Sequence, residues 1–545
     1  MRKRLISGNC CHWSKLAVIL FFFVFLLLGL FLVDDYGIHW DDHSQYNHGK
    51  VNVDYIQAML GREPVDSSQA GIQLAEYKDR THGVVFQVFA ISLQHLFGFE
   101  DPRDCFLLRH YLTFLIFFTG LIFFYRLIKE QFENTFLALL GVVMMILSPR
   151  IFADSFYNSK DIVFLSLTII NIWTLVRFIQ KPAIKTASFH AIAGALLIAT
   201  RIIGIFMPAI STLFVVLIMI DRNRKRSPDY SFIYTRSSGR LLLPTAWYFV
   251  VTLLLTVGFW PYLWEDPLRR LMEVFTAMSH FNWDDPVLFR GRFLIPDELP
   301  FYYIPYWIVI TTPVLYSILF LLGLGFVYRK HQKSSLLVVN VSVILFFFPL
   351  LTVILLGSVV YDGWRQMFFL YVPFLILSLA GLENINNFLT RHSNPKFSQG
   401  LRILLYAIII ISFTNTAVFM IRYHPHQNVY FNCLAGHETS KDFEADYWGL
   451  SYRQVIQHLI EEYPGDTLSI ISVNWPGQAN ADILPAEMRG RLRFTGSDSA
   501  DFYISNYRFP TEHDKFFRRE FPYDQPLFEI EVKGNKIAGA YQWTR

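Results

Sequence analysis

The chain carries a series of apolar runs separated by short basic loops, and this pattern restricts the possible folds more than any other feature. The first run, residues 16–33, is almost entirely Leu, Phe and Val, and it is long enough to cross a bilayer. Comparable runs recur as far as residue 420. Hydrophobic residues make up 53% of the 545 residues, which is above the usual fraction in soluble proteins. We therefore predict a polytopic helical membrane protein.

The basic residues predict how the spans are oriented, because loops rich in Lys and Arg stay in the cytoplasm. Residues 1–15 are basic and are predicted to be a cytoplasmic N-terminus. The remaining basic loops recur after every second span, which gives about eleven transmembrane helices. The positions that set this topology are Arg2, Lys3, Arg4, Lys15, Arg126, Lys129, Arg177, Lys181, Lys185, Arg222, Arg224, Lys225, Arg226, Arg329, Lys330, Lys333, Arg391 and Lys396.

Two of the apolar stretches are predicted to be interrupted. Residues 191–220 are too long for one relaxed span, so we predict two short helices that meet near Arg201; a single kinked helix is the alternative. Pro149 is predicted to end the span before it, and a short outer loop then carries residues 157–161.

Two regions are predicted to lie outside the membrane core. The outer loop 34–104 contains two short amphipathic stretches, residues 46–61 and 83–97, which we expect to lie in the membrane plane. The tail, residues 422–545, has no run of spanning length, and its patterns predict a helix over 452–461 and strands over 467–473 and 527–532. The predicted fold class is an all-α polytopic membrane domain over 16–421, followed by a small C-terminal α/β domain on the outer side.

Composition narrows the function classes. The net charge of +4 comes mostly from short loops between helices, so it does not point to nucleic acid as a partner. The four cysteines do not form a pattern typical of a structural disulfide or of a Cys-x-x-Cys metal site.

Charged residues at the margins of the spans indicate a site. Such residues are costly near lipid, and they usually pair with one another or line a cavity. The predicted topology puts one set of them on the outer side: Asp41, Asp42, His82, Lys160, Asp161, Arg201, Glu265, Asp266 and Arg365. Cations that hold a phosphate and a carboxylate that accepts a proton suit a reaction with an acidic leaving group. Each residue also has a purely structural interpretation. Arg201 could extend its side chain to the membrane–water interface, and Lys160 and Asp161 could neutralise each other at the start of a helix.

Several short motifs occur in an order that resembles the GT-C glycosyltransferases, in particular the branch that contains protein O-mannosyltransferases and lipid A aminoarabinose transferases. The resemblance covers nearly the whole chain. One motif departs from the family pattern, because Ser159 stands where that pattern has a proline. The motifs are Trp40-Asp41-Asp42-His43, Thr81-His82-Gly83, Pro149-Arg150-Ile151, Asn158-Ser159-Lys160-Asp161, Phe259-Trp260-Pro261-Tyr262-Leu263-Trp264, Tyr361-Asp362-Gly363-Trp364-Arg365 and Phe443-Glu444-Ala445-Asp446-Tyr447-Trp448-Gly449.

This resemblance implies an inverting transfer of sugar from a polyprenyl-phosphate carrier to a lipid, glycan or protein acceptor. Asp41 would be the general base, Asp42 would orient it or help to hold a cation, and Asp161 is a second acidic candidate. The implied donor-phosphate contacts are Lys160, Arg201, His82 and Arg365. The candidates for contact with acceptor or sugar are Trp264, Glu265 and His280. A divalent cation is left open, with Asp41 and Asp42 as its candidate ligands.

A transporter of a lipid-linked sugar is the alternative function, since it would use the same charged cavity without bond chemistry. No inverted repeat stands out in the sequence, which argues against a transporter. The predicted outer loops and tail contain no Asn-x-Ser/Thr sequon, and this favours a bacterial plasma membrane over an endoplasmic reticulum.

Overall fold

The computed structural model describes residues 2–63, 73–223, 241–279, 283, 285–326, 336–496, 500–508 and 525–542. Up to residue 422 the described chain is largely helical, as predicted for the membrane part. The helices are α1 (Arg2–Leu32), α2 (Asp42–Met59), α3 (Val85–Phe97), α4 (Pro102–Phe132), α5 (Thr135–Ile146), α6 (Pro149–Tyr157), α7 (Asp161–Gln180), α8 (Ile184–Thr200), α9 (Phe206–Asn223), α10 (Leu242–Phe259), α11 (Pro267–Ser279), α12 (Tyr303–Thr311), α13 (Val314–Phe326), α14 (Leu336–Leu355), α15 (Tyr371–Thr390) and α16 (Pro395–Arg422).

Eight helical segments of the described chain are long and apolar enough to cross a membrane, so this is a multi-pass integral membrane protein, as predicted. A ninth span results if α5 and α6, which are bent by 71° at their junction, form one broken span. Adding α8 and the interrupted pair α12–α13 would give the predicted eleven, so the span count stays a prediction. The eight segments are Lys15–Asp35, Pro102–Phe132, Asp161–Gln180, Ile202–Ile220, Leu242–Phe259, Leu336–Leu355, Arg365–Thr390 and Pro395–Arg422.

Breaks between helices fall where the local sequence demands them. The predicted division near Arg201 is confirmed, since α8 ends at Thr200 and a short 3-10 turn over Ile202–Ile205 leads into α9. Pro149 does end α5, but a new helix, α6, starts at that proline, because proline is well tolerated in the first turn. The sequence predicted no helix between Pro149 and the loop that follows.

The centre of the membrane part is closely packed. α13 and α15 approach each other at Gly323 and Gly381. A Cβ atom on Gly381 would lie 2.3 Å from the carbonyl oxygen of Leu319, and one on Gly323 would lie 2.1 Å from that of Leu377. Small residues of this kind let the backbones of neighbouring membrane helices touch. Such packing fixes α15, and the 3-10 turn that leads into this helix carries part of the site described below.

The tail folds into a small α/β unit, as predicted. Its elements are α17 (Thr439–Asp442), α18 (Tyr452–Glu462), β3 (Leu468–Ser472), α19 (Trp475–Ala479), α20 (Ala486–Arg489), β4 (Leu492–Phe494), β5 (Phe502–Ser505), β6 (Phe528–Val532) and β7 (Asn535–Gln542); a separate hairpin of β1 (Val287–Phe289) and β2 (Arg292–Leu294) precedes α12. The five-stranded sheet of the tail has the order β4-β3-β5-β7-β6, in which β3 runs parallel to β4 and β5 while β7 runs antiparallel to β5 and β6. The predicted helix and both predicted strands are confirmed within one residue at each end.

This tail holds the segment that leads from α1 into α2. Asn480 accepts a hydrogen bond from the backbone N–H of Ile38 (2.9 Å) and donates one to its carbonyl oxygen (3.0 Å). Arg453 donates to the carbonyl oxygen of Tyr36 (2.9 Å). Gly37 is needed between them, because a Cβ atom there would lie 2.2 Å from the Asn480 side-chain oxygen. The tail therefore fixes the position at which α2 begins.

Candidate active site

Four helix ends meet at one place and bring together most of the charged residues singled out in the sequence. Asp41 immediately precedes α2, Lys160 and Asp161 open α7, and Arg201 joins α8 to the turn before α9. Arg365 begins the 3-10 turn that leads into α15. Although these residues lie far apart in the sequence, their side chains form one ionic cluster.

Arg365 is the centre of this cluster. Its guanidinium lies 3.3 Å from the Asp41 carboxylate, 3.7 Å from that of Asp161 and 3.1 Å from that of Asp362. The Arg365 guanidinium also lies over the aromatic rings of Tyr361 and Trp448, 5.0 and 4.5 Å from their centroids. A buried arginine among three carboxylates can hold their side chains in a fixed arrangement.

The local backbone explains how Asp362 and Arg365 reach the cluster. Asp362 has a φ of +54° and Gly363 one of +73°, so the chain turns sharply through the left-handed region. Gly363 donates its backbone N–H to the hydroxyl of Tyr303 (3.1 Å), which anchors the turn against α12. The turn points the Asp362 carboxylate at the arginine three residues later.

Asp161 is buried, with 2% of its side chain exposed, and its oxygens are occupied. One oxygen pairs with Arg201, and the other accepts a hydrogen bond from Asn158 (3.0 Å) besides facing Arg365. Asn158 also donates to Asp154 (2.7 Å) and accepts from the backbone of Asp161 (2.9 Å), so it fixes the start of α7. The geometry favours Asp161 as a holder of cations over Asp161 as a proton acceptor.

Asp41 is the most exposed carboxylate of the cluster, with 34% of its side chain accessible. Burial favours its neutral form, but the neighbouring Arg365 outweighs this effect, together with His39 and Lys160, and holds the pKa of Asp41 below its usual value. The side chain is therefore a carboxylate at neutral pH. It can accept a proton from a molecule that reaches it from the accessible side.

Asp42 points towards His39 rather than towards Arg365, and it is fully buried. Its carboxylate accepts a hydrogen bond from the backbone N–H of His39 (3.1 Å) and lies 3.2 Å from the His39 ring. The same ring accepts the backbone N–H of Asp41 (3.1 Å) through Nδ1. Burial alone would raise the pKa of Asp42, but the contact with His39 lowers it to about 2. Of the two predicted roles, orienting Asp41 fits this geometry better than holding a cation.

Lys160 and His82 differ in charge. Burial, reinforced by the Arg201 charge, lowers the pKa of Lys160 to about 8, so this ammonium is still largely protonated at neutral pH. The charge of Lys160 is also the main reason that the pKa of His82 lies well below its usual range, with burial adding to the effect. His82 is thus a neutral ring, which can form hydrogen bonds but cannot neutralise a phosphate charge.

The chemistry of the carboxylates does not suit a metal ion. Among the described residues, no group of three or more His, Cys, Asp or Glu side chains lies close enough to hold one. Asp41 and Asp161 face Arg365, and Asp42 faces His39. A divalent cation beside Asp41 and Asp161 would be repelled by the guanidinium of Arg365, so these residues do not fit a metal site.

Two of the three candidates for acceptor or sugar contact, Trp264 and Glu265, are not brought to the cluster. Trp264 lies 6.0 Å, between ring centroids, from Tyr55, whose hydroxyl donates to Glu265 (3.3 Å). Tyr55 is near the far end of α2, roughly 20 Å from Asp41 at 1.5 Å per residue. Glu265 is also paired with Arg270. The third candidate, His280, lies outside the described residues, so all three stay predictions.

Two residues of the tail complete the site and were not singled out as site residues from the sequence. Trp448 accepts the backbone N–H of Trp40 at its carbonyl oxygen (3.1 Å), donates its indole N–H to Asp154 (3.2 Å), and lies under Arg365. Arg508 follows β5 and donates to Asp362 (2.7 Å). The motif around Trp448 was noted in the sequence, but no sequence signal marks Arg508.

Arg508 links the cluster to a further buried acid. Its guanidinium lies 3.6 Å from Glu444, donates to the carbonyl oxygen of Tyr447 (3.0 Å), and covers the face of Trp40 at 4.7 Å from the ring centroid. Burial raises the pKa of Glu444 to about 8, so this acid is largely protonated at neutral pH. The charges therefore alternate from Arg508 through Asp362 and Arg365 to Asp41.

Comparison with protein-family models and with curated protein sequences finds no match. Among solved structures, the chain is similar to ArnT from Cupriavidus metallidurans bound to undecaprenyl phosphate, with a TM-score of 0.48 and 13% identity over 96% of this chain and 98% of that one. It is also similar to the archaeal oligosaccharyltransferase AglB from Archaeoglobus fulgidus, with a TM-score of 0.48 and 9% identity over 89% of this chain and 69% of that one. A third similar structure is the arabinofuranosyltransferase AftD from mycobacteria, with a TM-score of 0.44 and 11% identity over 96% of this chain and 41% of that one.

Proposed function

We propose that the protein is an inverting glycosyltransferase that moves a sugar from a polyprenyl-phosphate carrier to an acceptor. The observation that carries this proposal is the ionic cluster, in which the accessible Asp41 carboxylate lies beside Arg365. The same cluster contains Lys160, whose charge lowers the pKa of Asp41, and Arg201, which pairs with Asp161. A base next to a concentration of cations is what transfer with a phosphate leaving group requires.

The reaction follows from these positions. An acceptor hydroxyl or amine attacks the anomeric carbon, and the bond between that carbon and the phosphate oxygen breaks. The acceptor's proton passes to Asp41, and the electron pair of the broken bond stays on the polyprenyl phosphate. Attack from the side opposite the phosphate inverts the configuration of the sugar.

The leaving phosphate is stabilised by charge, since it needs neutralisation more than protonation. Lys160, Arg201 and Arg365 are the cations for this role, and His82 adds a neutral hydrogen-bonding group. The ion pair between Arg365 and Asp41 links donor binding to the basicity of Asp41. When the donor phosphate shares Arg365, Asp41 is less strongly held and becomes a better base.

The proposal includes the substrate class and the compartment. The donor is a polyprenyl-phosphate hexose or pentose, and the acceptor is a lipid, a glycan or a protein. The protein lies in a bacterial plasma membrane, and the cluster faces the outer side, because the basic loops are placed in the cytoplasm.

The test is the transfer of radiolabelled sugar from a polyprenyl-phosphate donor in proteoliposomes. Asp41→Asn keeps the shape of the side chain but removes its ability to accept a proton, so transfer should fall roughly 10²–10⁴-fold. Donor binding should be retained, since the proposed phosphate contacts lie on other residues.

The matched control is Asp104→Asn, an exposed acid in the first turn of α4 that lies outside the cluster. It should transfer at the wild-type rate, and thermal melting should show that both variants fold. An active Asp41→Asn protein would remove the base from the proposal. Label that crosses the bilayer without any transfer to acceptor would favour the transporter.

A further inference from the structure

A cavity lies where the tail meets the membrane helices, and its lining residues are not part of the ionic cluster. It has a volume of about 480 Å³, and its walls come from α16, the start of α13, the segment after α16, and the turn between β6 and β7. That volume is large enough for a small headgroup or part of a ligand. The proposed function makes no use of this cavity.

The cavity is apolar on one wall and polar on the other. Val314 and Leu315 at the start of α13 supply apolar surface, whereas Ser412, Asn415 and Thr416 of α16 supply hydroxyl and amide groups. The spacing of these three positions puts them on one face of the helix. The Thr416 hydroxyl donates to the backbone carbonyl oxygen of Ser412 (3.0 Å). Since α16 is a candidate membrane span, the Ser412 hydroxyl and the Asn415 amide are costly there unless a polar ligand or water meets them.

The polar residues of α16 lie below the end of that helix. Ser412 and Thr416 precede the end by ten and six residues. At 1.5 Å per residue they lie roughly 9–15 Å from it, which is within the half-thickness of a hydrocarbon core about 30 Å thick. Lys533, by contrast, contacts Phe419 and Tyr430 close to the helix end. A cavity that extends from a cation near the helix end into the depth of the acyl chains suits a molecule that has a headgroup and an acyl chain.

The tail places one cation in this cavity. Lys533 lies in the left-handed region (φ +51°) in the turn between β6 and β7, and its ammonium donates to the carbonyl oxygen of Phe431 (3.1 Å). It also lies 5.0 and 5.3 Å from the ring centroids of Phe419 and Tyr430. An ammonium has three donors, so it retains capacity for a ligand. No Asp or Glu is among the described residues that line the cavity.

We propose that this cavity binds the headgroup of an anionic glycerophospholipid, with Lys533 at its phosphodiester and the polar groups of α16 below it. A phosphodiester carries one negative charge, which a single ammonium balances. The ionic cluster, by contrast, contains several cations, which suits the phosphomonoester product of the proposed reaction, because that product has a higher charge. This inference is independent of the proposed function.

The experiment is native mass spectrometry of the detergent-purified protein, titrated with phosphatidylglycerol, phosphatidylcholine or polyprenyl phosphate. We expect retained phosphatidylglycerol, and a roughly tenfold or greater weakening of its binding in Lys533→Met, since a charge-assisted contact is lost. The matched control is Lys536→Met in the same hairpin, because Lys536 pairs with Glu529 at the surface and should not affect binding.

Ser412→Leu tests the cavity without touching the lysine. It should fill the polar wall and abolish phosphatidylglycerol binding even if Lys533→Met proves unstable in a thermal melt. Equal binding of phosphatidylglycerol by the wild type, Lys533→Met and Ser412→Leu would overturn the proposal. So would phosphatidylcholine that binds as tightly, or polyprenyl phosphate that displaces phosphatidylglycerol from the wild type.

Discussion

Lys160 is the residue of the cluster whose charge is most easily lost. Burial and the Arg201 charge weaken its hold on the proton, so its pKa of about 8 lies just above neutrality. The same side chain is proposed to hold the donor phosphate. Its protonation state should therefore set the alkaline limit of activity.

This residue gives a prediction about pH. The ammonium is charged below its pKa and is lost as the pH rises through about 8, so donor use should decline between pH 7.5 and 9. A charge-assisted contact of this kind is worth roughly 1.5–3 kcal/mol. Lys160→Arg should shift the alkaline limb well above pH 9, because arginine stays protonated there.

The measurement is the KM for donor as a function of pH in the wild type and in Lys160→Arg. Lys129→Arg is the matched control, since Lys129 lies in the last turn of α4 and outside the cluster. A wild-type profile that is flat to pH 9.5, or an identical limb in both proteins, would contradict the assignment.

At the scale of elements, the segment after β5 acts on the membrane part through Arg508. The contact runs from this segment to Asp362, then to Arg365 and Asp41. Arg508 is thus a positioning residue, because it touches neither substrate nor the accepting oxygen in the proposed reaction. A purely structural role would not alter the titration of Asp41.

The corresponding prediction is a shift in the acid limb of the rate profile. The Arg508 charge helps to keep the pKa of Asp41 low, although its effect is smaller than that of Arg365. In Arg508→Met the acid limb should therefore move to higher pH. Arg508→Lys should restore most of the original position, because it keeps the charge while losing the forked hydrogen bonds.

Arg493→Met is the control for this pair, since Arg493 is exposed on β4 of the same sheet. Thermal unfolding separates misfolding from repositioning, because removing one partner of a buried ion pair can cost several kcal/mol. An unchanged acid limb in a folded Arg508→Met protein would show that the tail has no electrostatic effect on Asp41.

The sequence was most informative about helix ends and least informative about contacts made by the tail. Hydropathy and basic loops put Asp41, Lys160, Asp161, Arg201 and Arg365 on one side, and the structure brings them together. The sequence could not distinguish the roles of Asp41 and Asp42, because the two residues are identical and adjacent in the motif. Only the turn at the start of α2 directs one outward and the other into the protein.

Arg508 and Trp448, which the sequence did not mark as site residues, contact the site across long sequence separations. Arg508 contacts Asp362 across 146 positions, and Trp448 contacts Asp154 across 294. No local periodicity can reveal such pairs. The burial that gives Glu444 a raised pKa is also a property of the assembled fold rather than of the residues around it.

At the scale of the whole molecule, the number of spans decides where the tail lies. Eight spans would return the tail to the side of the N-terminus, whereas nine or eleven would leave it on the opposite side. We predict the opposite side, because α16 follows the basic loop that contains Arg391 and Lys396.

A phosphatase fused after Arg545 should therefore be active in a bacterial host, and a fluorescent protein fused there should be dark. The matched pair of fusions after Lys396 should give the reverse result, since that loop is predicted to be cytoplasmic. A fluorescent C-terminal fusion with no phosphatase activity would establish an even number of spans.

The alternating charges around Arg365 have one more consequence, which concerns release of the spent carrier. With Glu444 protonated, the cations of the cluster outnumber its carboxylates by one. The carboxylates are Asp41, Asp161 and Asp362, and the cations are Lys160, Arg201, Arg365 and Arg508.

In the proposed reaction, a sugar-bearing phosphodiester brings one negative charge, so its complex with the site would be electrically neutral. Transfer turns that phosphodiester into a phosphomonoester of charge near −2 and leaves the acceptor's proton on Asp41. Once Asp41 passes this proton to water, the site and the spent carrier together are negative. A site of net positive charge attracts this product more strongly than it attracts the singly charged donor. In the proposed reaction, release of the spent carrier would therefore be slow, and the carrier would compete with the next donor.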